Sequence, residues 1–474
     1  MPCCWSLAEI ARLWIIDLKH SLIIAFAGQE DSGGILQSHA YTWRPPCDMS
    51  SMTRPPEARC SPPVPRWKPI LTLMVATQFC STMGFSIIFP FLPLYLKELG
   101  STTGLGIEVL SGLVYSVQAV TMTIASPFWG AVADRYGRKM MVVRAGCGGA
   151  VVVLLMGFVQ NSEQLVFLRA LQGLVTGVVA ASSALVAAVT PRERTGYAMG
   201  LLQLGLWSGV SMGPLVGGVL SDLIGFRATF VVTSILLLLS GLSVWIGVKE
   251  PFERSKQVRV GRMGFLEDWR RILSNPQLDF TLLLRFLGAI GLSALDPVFP
   301  LFVLALATGP MRVATATGVV VGAASAASTV TSVYLGRLGD RTGHTRVALT
   351  CGIGAAVFYV SHVFVGNLWQ LLVLYSLAGA CVGGLLPSLS AMLVENSQRG
   401  DEGRVYGIDN SVTSAGRTVG PVLGAACALW FSPRAPFVLT GVIFAGASLV
   451  GALTVCRYTR TRPVDRSPVV SGRL

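Results

Sequence analysis

The sequence is poor in charge. Only 13% of its 474 residues are Asp, Glu, Lys or Arg, against about 25% in soluble globular chains, while 52% are hydrophobic. That balance excludes a row of ordinary soluble domains. Strand-like alternation is missing as well: the apolar runs do not alternate with polar residues as the ~10-residue segments of a membrane β-barrel do. Its ten Cys and four His form no CxxC pair and no spacing suited to a metal, and the cysteines read as small apolar space-fillers. The apolar runs hold no Walker-type phosphate loop, and there is no HExxH, no Ser/His/Asp set and no clustered acids. An ATP-driven pump and a membrane-embedded enzyme therefore lack their defining residues. No cofactor or metal is expected.

Long apolar runs are present instead. Runs such as 228–248 and 436–456 reach the ~20 residues that cross a bilayer, and in lipid they must be helices. Twelve spans are expected: about 70–96, 108–131, 140–159, 164–189, 196–220, 227–248, 278–304, 313–336, 346–364, 369–393, 404–429 and 436–456. The one long connection, 249–277, splits them six and six. It contains "FLEDWRRILSN", in which Phe265, Leu266, Trp269, Ile272 and Leu273 share one face opposite Arg270 and Arg271, an amphipathic helix for the headgroup plane.

The formal net charge of +13 is a topology signal rather than a nucleic-acid one. Lys and Arg crowd alternate connections, whereas the other set holds only Lys97, Arg227, Arg312 and Arg434. The rich side is cytoplasmic by the positive-inside rule, which puts both termini inside, next to anionic lipid. Residues 1–48 carry Asp17, Lys19 and His20 within a run of apolar residues, which suits neither a span nor a signal peptide. Met49 or Met52 is a candidate start, and 54–69 is a proline-rich lead-in.

The two halves repeat each other. "PFLP" at 90–93 returns as "PVFP" at 297–300, "SMGPLVGG" at 211–218 as "TVGPVLGA" at 418–425, and "GAVADRYGRKMMVV" at 130–143 as "GRLGDRTGHTRVAL" at 336–349, all at an offset of 206 or 207. An offset of six spans gives both copies the same orientation, a parallel repeat about the membrane normal. The repeated turn frames Asp134, Arg135, Arg138 and Lys139 with Gly130 and Gly137, and Asp340 and Arg341 with Gly336 and Gly343. Small residues at 130 and 336 permit close helix approach, and the charges can pair with a neighbouring helix end. Such a contact can hold two bundles in one state and release them in another. In span five, Gly209, Gly213, Pro214, Gly217 and Gly218 fall largely on one stripe for a partner helix, with Pro214 weakening the helix. Gly420 and Pro421 repeat this in span eleven.

These stretches carry a resemblance. The turn at 130–143 resembles the signature loop of the major facilitator superfamily, "GVSMGPLVGG" in span five resembles the antiporter motif of its drug:proton exporters, and "LRALQG" at 168–173 resembles their fourth-span Arg motif. The resemblance covers about 66–458. It implies an all-α polytopic membrane protein with twelve transmembrane helices in two six-helix bundles. It also implies a conformational switch at the turns, a fifth-span motif that seals one bundle interface and biases direction, and a role in transport for Arg169. The second turn departs from the pattern, with His344 and Thr345 where the first has Arg138 and Lys139, so control is expected to rest on the first.

Charge inside a span costs about 2.5–3.5 kcal/mol at the bilayer centre on insertion scales, so Arg169, Asp296, Asp409 and Arg417 are candidates for proton coupling or substrate binding. Asp296 is either a protonatable coupling site or half of a permanent ion pair with Arg417 or Arg169. Gln118, Gln172, Gln203, Tyr375 and Asn410 add polar groups, and Phe85, Phe89, Trp207 and Phe299 are expected to line an apolar cavity. His362 reads as structural.

The expected organisation is an extension over 1–66, bundles over 67–248 and 278–458, the linker 249–277, and a cytoplasmic tail over 459–474. The expected function is proton-coupled export of small amphipathic compounds by alternating access, in an inner membrane, by a monomer that binds no nucleic acid. The alternative on the same fold is a metabolite or sugar transporter. An enzyme or a nontransporting sensor ranks lower.

Overall fold

A computed structural model describes residues 67–191, 194–248, 276–307, 312–397 and 402–461. The extension before Trp67, the linker helix and most of the tail lie outside the described residues. Among the described residues there is no strand.

Three of the expected spans are broken helices. The first consists of α1 (Trp67–Ile87) and α2 (Leu92–Leu99). The next are α3 (Ile107–Tyr136) and α4 (Arg138–Met156). The fourth is divided into α5 (Ser162–Val175) and α6 (Val178–Val189), and α7 (Thr195–Ile224) and α8 (Phe226–Gly247) follow. The second half runs through α9 (Pro276–Leu295) with α10 (Phe299–Leu306), then α11 (Val313–Thr342), α12 (His344–Ser361), α13 (Leu368–Glu395), α14 (Glu402–Trp430) and α15 (Ala435–Thr461). Ten helices are long and apolar enough to cross a membrane, by length and composition. Neither the divided fourth span nor α14 is among those ten.

Prolines place two of the breaks. Pro90 and Pro297 lack an amide donor, and at both sites the chain turns on an i→i−3 bond, Phe89 N to Ser86 O (3.2 Å) and Asp296 N to Ser293 O (3.3 Å). The repeat offset of 207 therefore sets Phe89 opposite Asp296. The third break, at Thr176–Gly177, is not repeated, because α13 runs on unbroken through Pro387. A further repeated signal sits at two helix starts. Asn161 accepts from Gln164 N (3.0 Å) and Asn367 from Gln370 N (2.9 Å), while each Gln takes a backbone amide in return, from Gln160 and Gly366. This is a reciprocal cap, and it recurs 206 residues on.

The packing repeats too. α1 packs on α7 and α8 as α9 packs on α14 and α15, and α4 packs on α8 as α12 packs on α15. One buried cluster gathers Phe91, Tyr95 and Phe230, and another gathers Phe299, Phe302, Tyr359, Phe437 and Phe444. Many large apolar side chains stay exposed, among them Phe167, Ile246 and Trp369. On a multi-pass membrane protein these meet lipid.

Candidate functional site

The fifth-span stripe packs as its spacing predicts, and the partner is α1. A Cβ on Gly209 would meet Thr82 Oγ1, one on Gly213 would meet Ser86 Cβ, and one on Gly217 would strike Ile87 O. The second copy matches it: Gly416 faces Phe286 O, Gly420 faces Ile290 O and Gly424 faces Ala294 O, all on α9. Pro214 lies inside the continuous helix α7. Gly218 points away from α1 and meets Ala314 O at the start of α11, while Gly318 on α11 meets Pro214 O in return. α7 thus joins the two halves. The second joint is α3 on α14, where a Cβ on Gly112 would lie 2.8 Å from Ala425 Cβ and 2.9 Å from Pro421 O.

Both joints lie at one end of the helices, opposite the charged turns. At the turn end the same faces are open. Gly200 and Gly336 lie eighteen residues from Gly218 and Gly318, as Gly407 does from Ala425, which is five full turns on the same face. A Cβ on Gly200, Gly336 or Gly407 would meet nothing within 4 Å. The close approach expected at Gly336 is thus not made here, because the seam is parted at that level.

At the two turns, Gly137 and Gly343 hold φ of +95° and +97°, a left-handed geometry that favours glycine and lets one helix end where the next begins. Arg138 donates to Ala184 O (3.0 Å) and so ties the first turn to α6. The surroundings of Gly130 and the side chains of Asp134 and Arg135 lie outside the described residues. In the second turn, His344 Nε2 lies 3.3 Å from Asp340 and 3.6 Å from Glu395, and Arg341 is exposed.

Three of the predicted polar residues come together inside the first half. Arg169, 3% exposed, donates through Nη1 to Gln118 Oε1 (2.8 Å) and Gln172 Oε1 (2.9 Å) and stands over the Tyr115 ring. Its Nε and Nη2 have no partner among the described residues. Asp296 lies in the break between α9 and α10, half-buried and within electrostatic range of Tyr115, Tyr375 and Arg417. It makes no ion pair with Arg169 or Arg417. Among the described residues the ion pair inside the spans is a different one: Arg285 holds Asp409 through two bonds, 2.7 and 2.5 Å, and reaches Ser390 Oγ at 3.4 Å. Asp409, 4% exposed, thereby ties α14 to α9. Arg285 carries the same in-span charge that marks Arg169, yet it is absent from the sequence-derived candidates. So is Arg144, which stacks 3.4 Å from the Trp129 ring.

The cavity residues divide. Phe89, Gln203, Trp207, Asn410 and Arg417 are exposed, and Phe85 is half-buried against Gly149. Phe299 is buried. It is 3% exposed and packed at 4.4 Å on Tyr375 in the second core. His362 is buried, stacked on Phe437 and bonded to Phe358 O, a packing role as expected.

Outside the spans, Glu163 opens α5 and binds the connection before α3. Its Oε1 accepts from Thr102 N, Thr103 N, Ser101 Oγ and Thr103 Oγ1 at 2.9–3.0 Å. Its own backbone amide first, then Thr103 and Ser101, hold this carboxyl down at about 2.

Comparison with known proteins agrees with this architecture. The family model for the Major Facilitator Superfamily matches residues 74–314 and again 281–472. The chain is 37% identical over 383 residues to the multidrug resistance protein MdtG of Citrobacter koseri, covering 80% of this chain and 94% of that one. It is 36% identical to the protein of the same name from Salmonella arizonae over the same shares. Among solved structures, a bacterial homologue of the human lysosomal transporter Spinster, inward-facing and unoccupied, superposes with a TM-score of 0.68 at 16% identity, over 85% of this chain and 99% of that one. A mutant of the nucleoside transporter NupG also gives 0.68, at 14% identity, over 82% and 99%. At such identities the structures speak for the fold alone. The repeated helices, the glycine-sealed seam and the twofold family match together make this chain a member of the major facilitator superfamily.

Proposed function

We propose that this protein is a proton-driven exporter of small amphipathic compounds, working by alternating access as a monomer with twelve spans in two bundles. The turn end is cytoplasmic, as the excess of Lys and Arg there supports, and the far end faces outward. The state described above is then closed outward and open inward. The observation that carries the reading is the seam, sealed at one end by the fifth-span motif and parted on the same faces at the other. The names of the MdtG relatives support drugs as the cargo. The proton gradient supplies the energy and no cofactor is needed.

Asp296 is the proton carrier in this reading. It lies at the break of a spanning helix, has no ion-pair partner among the described residues, and is within electrostatic range of Tyr115 of one half and Tyr375 of the other. Arg169, set by two Gln side chains, is the fixed charge against which it works. The membrane potential contributes about 2.3 kcal/mol per charge per 100 mV to such exchange. The test is substrate-induced proton release, followed with a pH dye over a substrate panel in proteoliposomes. Asp296→Asn should abolish proton-driven accumulation while keeping downhill exchange, and undiminished proton release in that variant rejects Asp296 as the carrier. Saturable flux of a sugar or nucleoside with no drug flux would favour the metabolite alternative.

A further inference from the structure

The start of α11 is poorly provided for by its own sequence. Its N-cap is Arg312, whose side chain makes no capping bond, and its first turn holds no acid. A helix start exposes unpaired amides and the positive end of the helix dipole, so a cation there is unfavourable. The missing acceptor comes from the other half of the molecule. Asp222, two residues from the end of α7, accepts from Thr315 N at 2.6 Å through Oδ2, and Thr315 Oγ1 donates to Gly218 O at 3.3 Å. Both bonds cross the seam beside the glycine joint.

The repeat shows that this device exists once. α3 and α11 repeat at an offset of 206, so Thr315 corresponds to Val109, next to Glu108, while α7 and α14 repeat at 207, so Asp222 corresponds to Leu429. In the first copy, α3 starts with its own acid, Glu108, and no carboxylate reaches it from α14. In the second copy the helix borrows its acid across the seam. An acid supplied within one helix acts on the helix dipole however the halves are arranged. A cap supplied across the seam is made in one arrangement and lost in the other.

We propose that Asp222 is a positioning residue for transport: it caps α11 from α7, latches the far end shut, and must let go for the far end to open. This rests on the alternating-access reading, but its test needs neither substrate nor gradient. Hydrogen exchange, read by mass spectrometry on the full-length protein in lipid nanodiscs, reports both ends at once. In Asp222→Ala, exchange over 313–318 should rise roughly five- to tenfold, as for loss of a cap. Exchange over 334–342 at the turn end should fall, because opening one end closes the other. Asp222→Asn keeps an acceptor oxygen but not the charge, so it should show the same two changes at smaller amplitude, and it reads the latch if the Ala variant does not fold. Unchanged exchange over 313–318 overturns the proposal. So does a rise spread over both ends, which is the mark of plain destabilisation. If both ends move in opposite directions while no compound is exported, the latch stands and the exporter reading fails.

Discussion

The two ends of the seam are built from the same four helices and behave oppositely. At the far end, Gly112, Gly218 and Gly318 bring backbone against backbone. Five turns away, Gly200 and Gly336 present the same faces to nothing. Side chains cannot explain the contrast, since glycine stands at both ends. On the alternating-access reading these faces carry two sealing positions, of which one is in use. Alternating access then needs no rebuilding of either half, only a change in which end of a smooth face is pressed together.

The sharpest way to break this contrast is at the sealed end. Gly218→Leu forces a side chain into the backbone of α11 at Ala314. Overpacking of this kind costs about 1–3 kcal/mol, and here parting the seam relieves it. Export should fall to background while folded protein remains, and far-end residues should become accessible to thiol reagents when replaced by Cys. Normal export by Gly218→Leu would mean that this joint does not matter.

A second test is the ion pair that fixes α14, one of the four seam helices, read in stability rather than export. Asp409→Ala leaves the half-buried Arg285 without its acid, and breaking a fully buried pair costs about 3–5 kcal/mol, an upper bound here. Thermal unfolding in detergent should fall sharply for that variant and recover in the Arg285→Ala, Asp409→Ala double variant. Equal losses in the single and double variants would deny the pairing.

The open end gives a subtler prediction. Gly336→Leu meets no neighbour, so the thermal stability of the present state should stay within about 1 kcal/mol of wild type. Export should nonetheless be lost, because the other state needs that face. A variant that is both stable and active removes the second sealing position.

The smallest effect concerns the far-end connection. The Glu163 carboxyl lies at about 2 in the folded protein against an ordinary 4.5. Its folded value is depressed, so its stabilising bonds are complete above about 4.5 and fade as pH falls toward 2. Proteolytic nicking of 100–106 should therefore rise only as pH drops through that window, and Glu163→Gln should be nicked to the same extent at every pH.

Much of this was legible in the sequence. The apolar runs and the repeat announced the helices, because lipid demands them, but the breaks beside Pro90 and Pro297 fall inside spans expected to be continuous, although Pro removes a donor there. The stripe at Gly209, Gly213 and Gly217 announced a partner, though not that the partner is α1. The break at Thr176–Gly177 was hidden, since Gly177 is one of 52 glycines and only its φ of +133° distinguishes it. The Asn161 and Asn367 caps were readable as a repeat and were masked by the apolar background. Charge alone could not sort Asp296 from Asp409. Which acid finds an arginine depends on the rotation of α9 against α14, a tertiary fact.

Alternating access requires that one end of the seam opens as the other closes. Pairs of spin labels, one across the far end at Phe158 and Trp369 and one across the turn end at Phe128 and Tyr334, measure it directly in proteoliposomes as pH is varied. The far-end distance should lengthen while the turn-end distance shortens, in the same fraction of molecules. Distances that move together, or a far end that never opens, would contradict it.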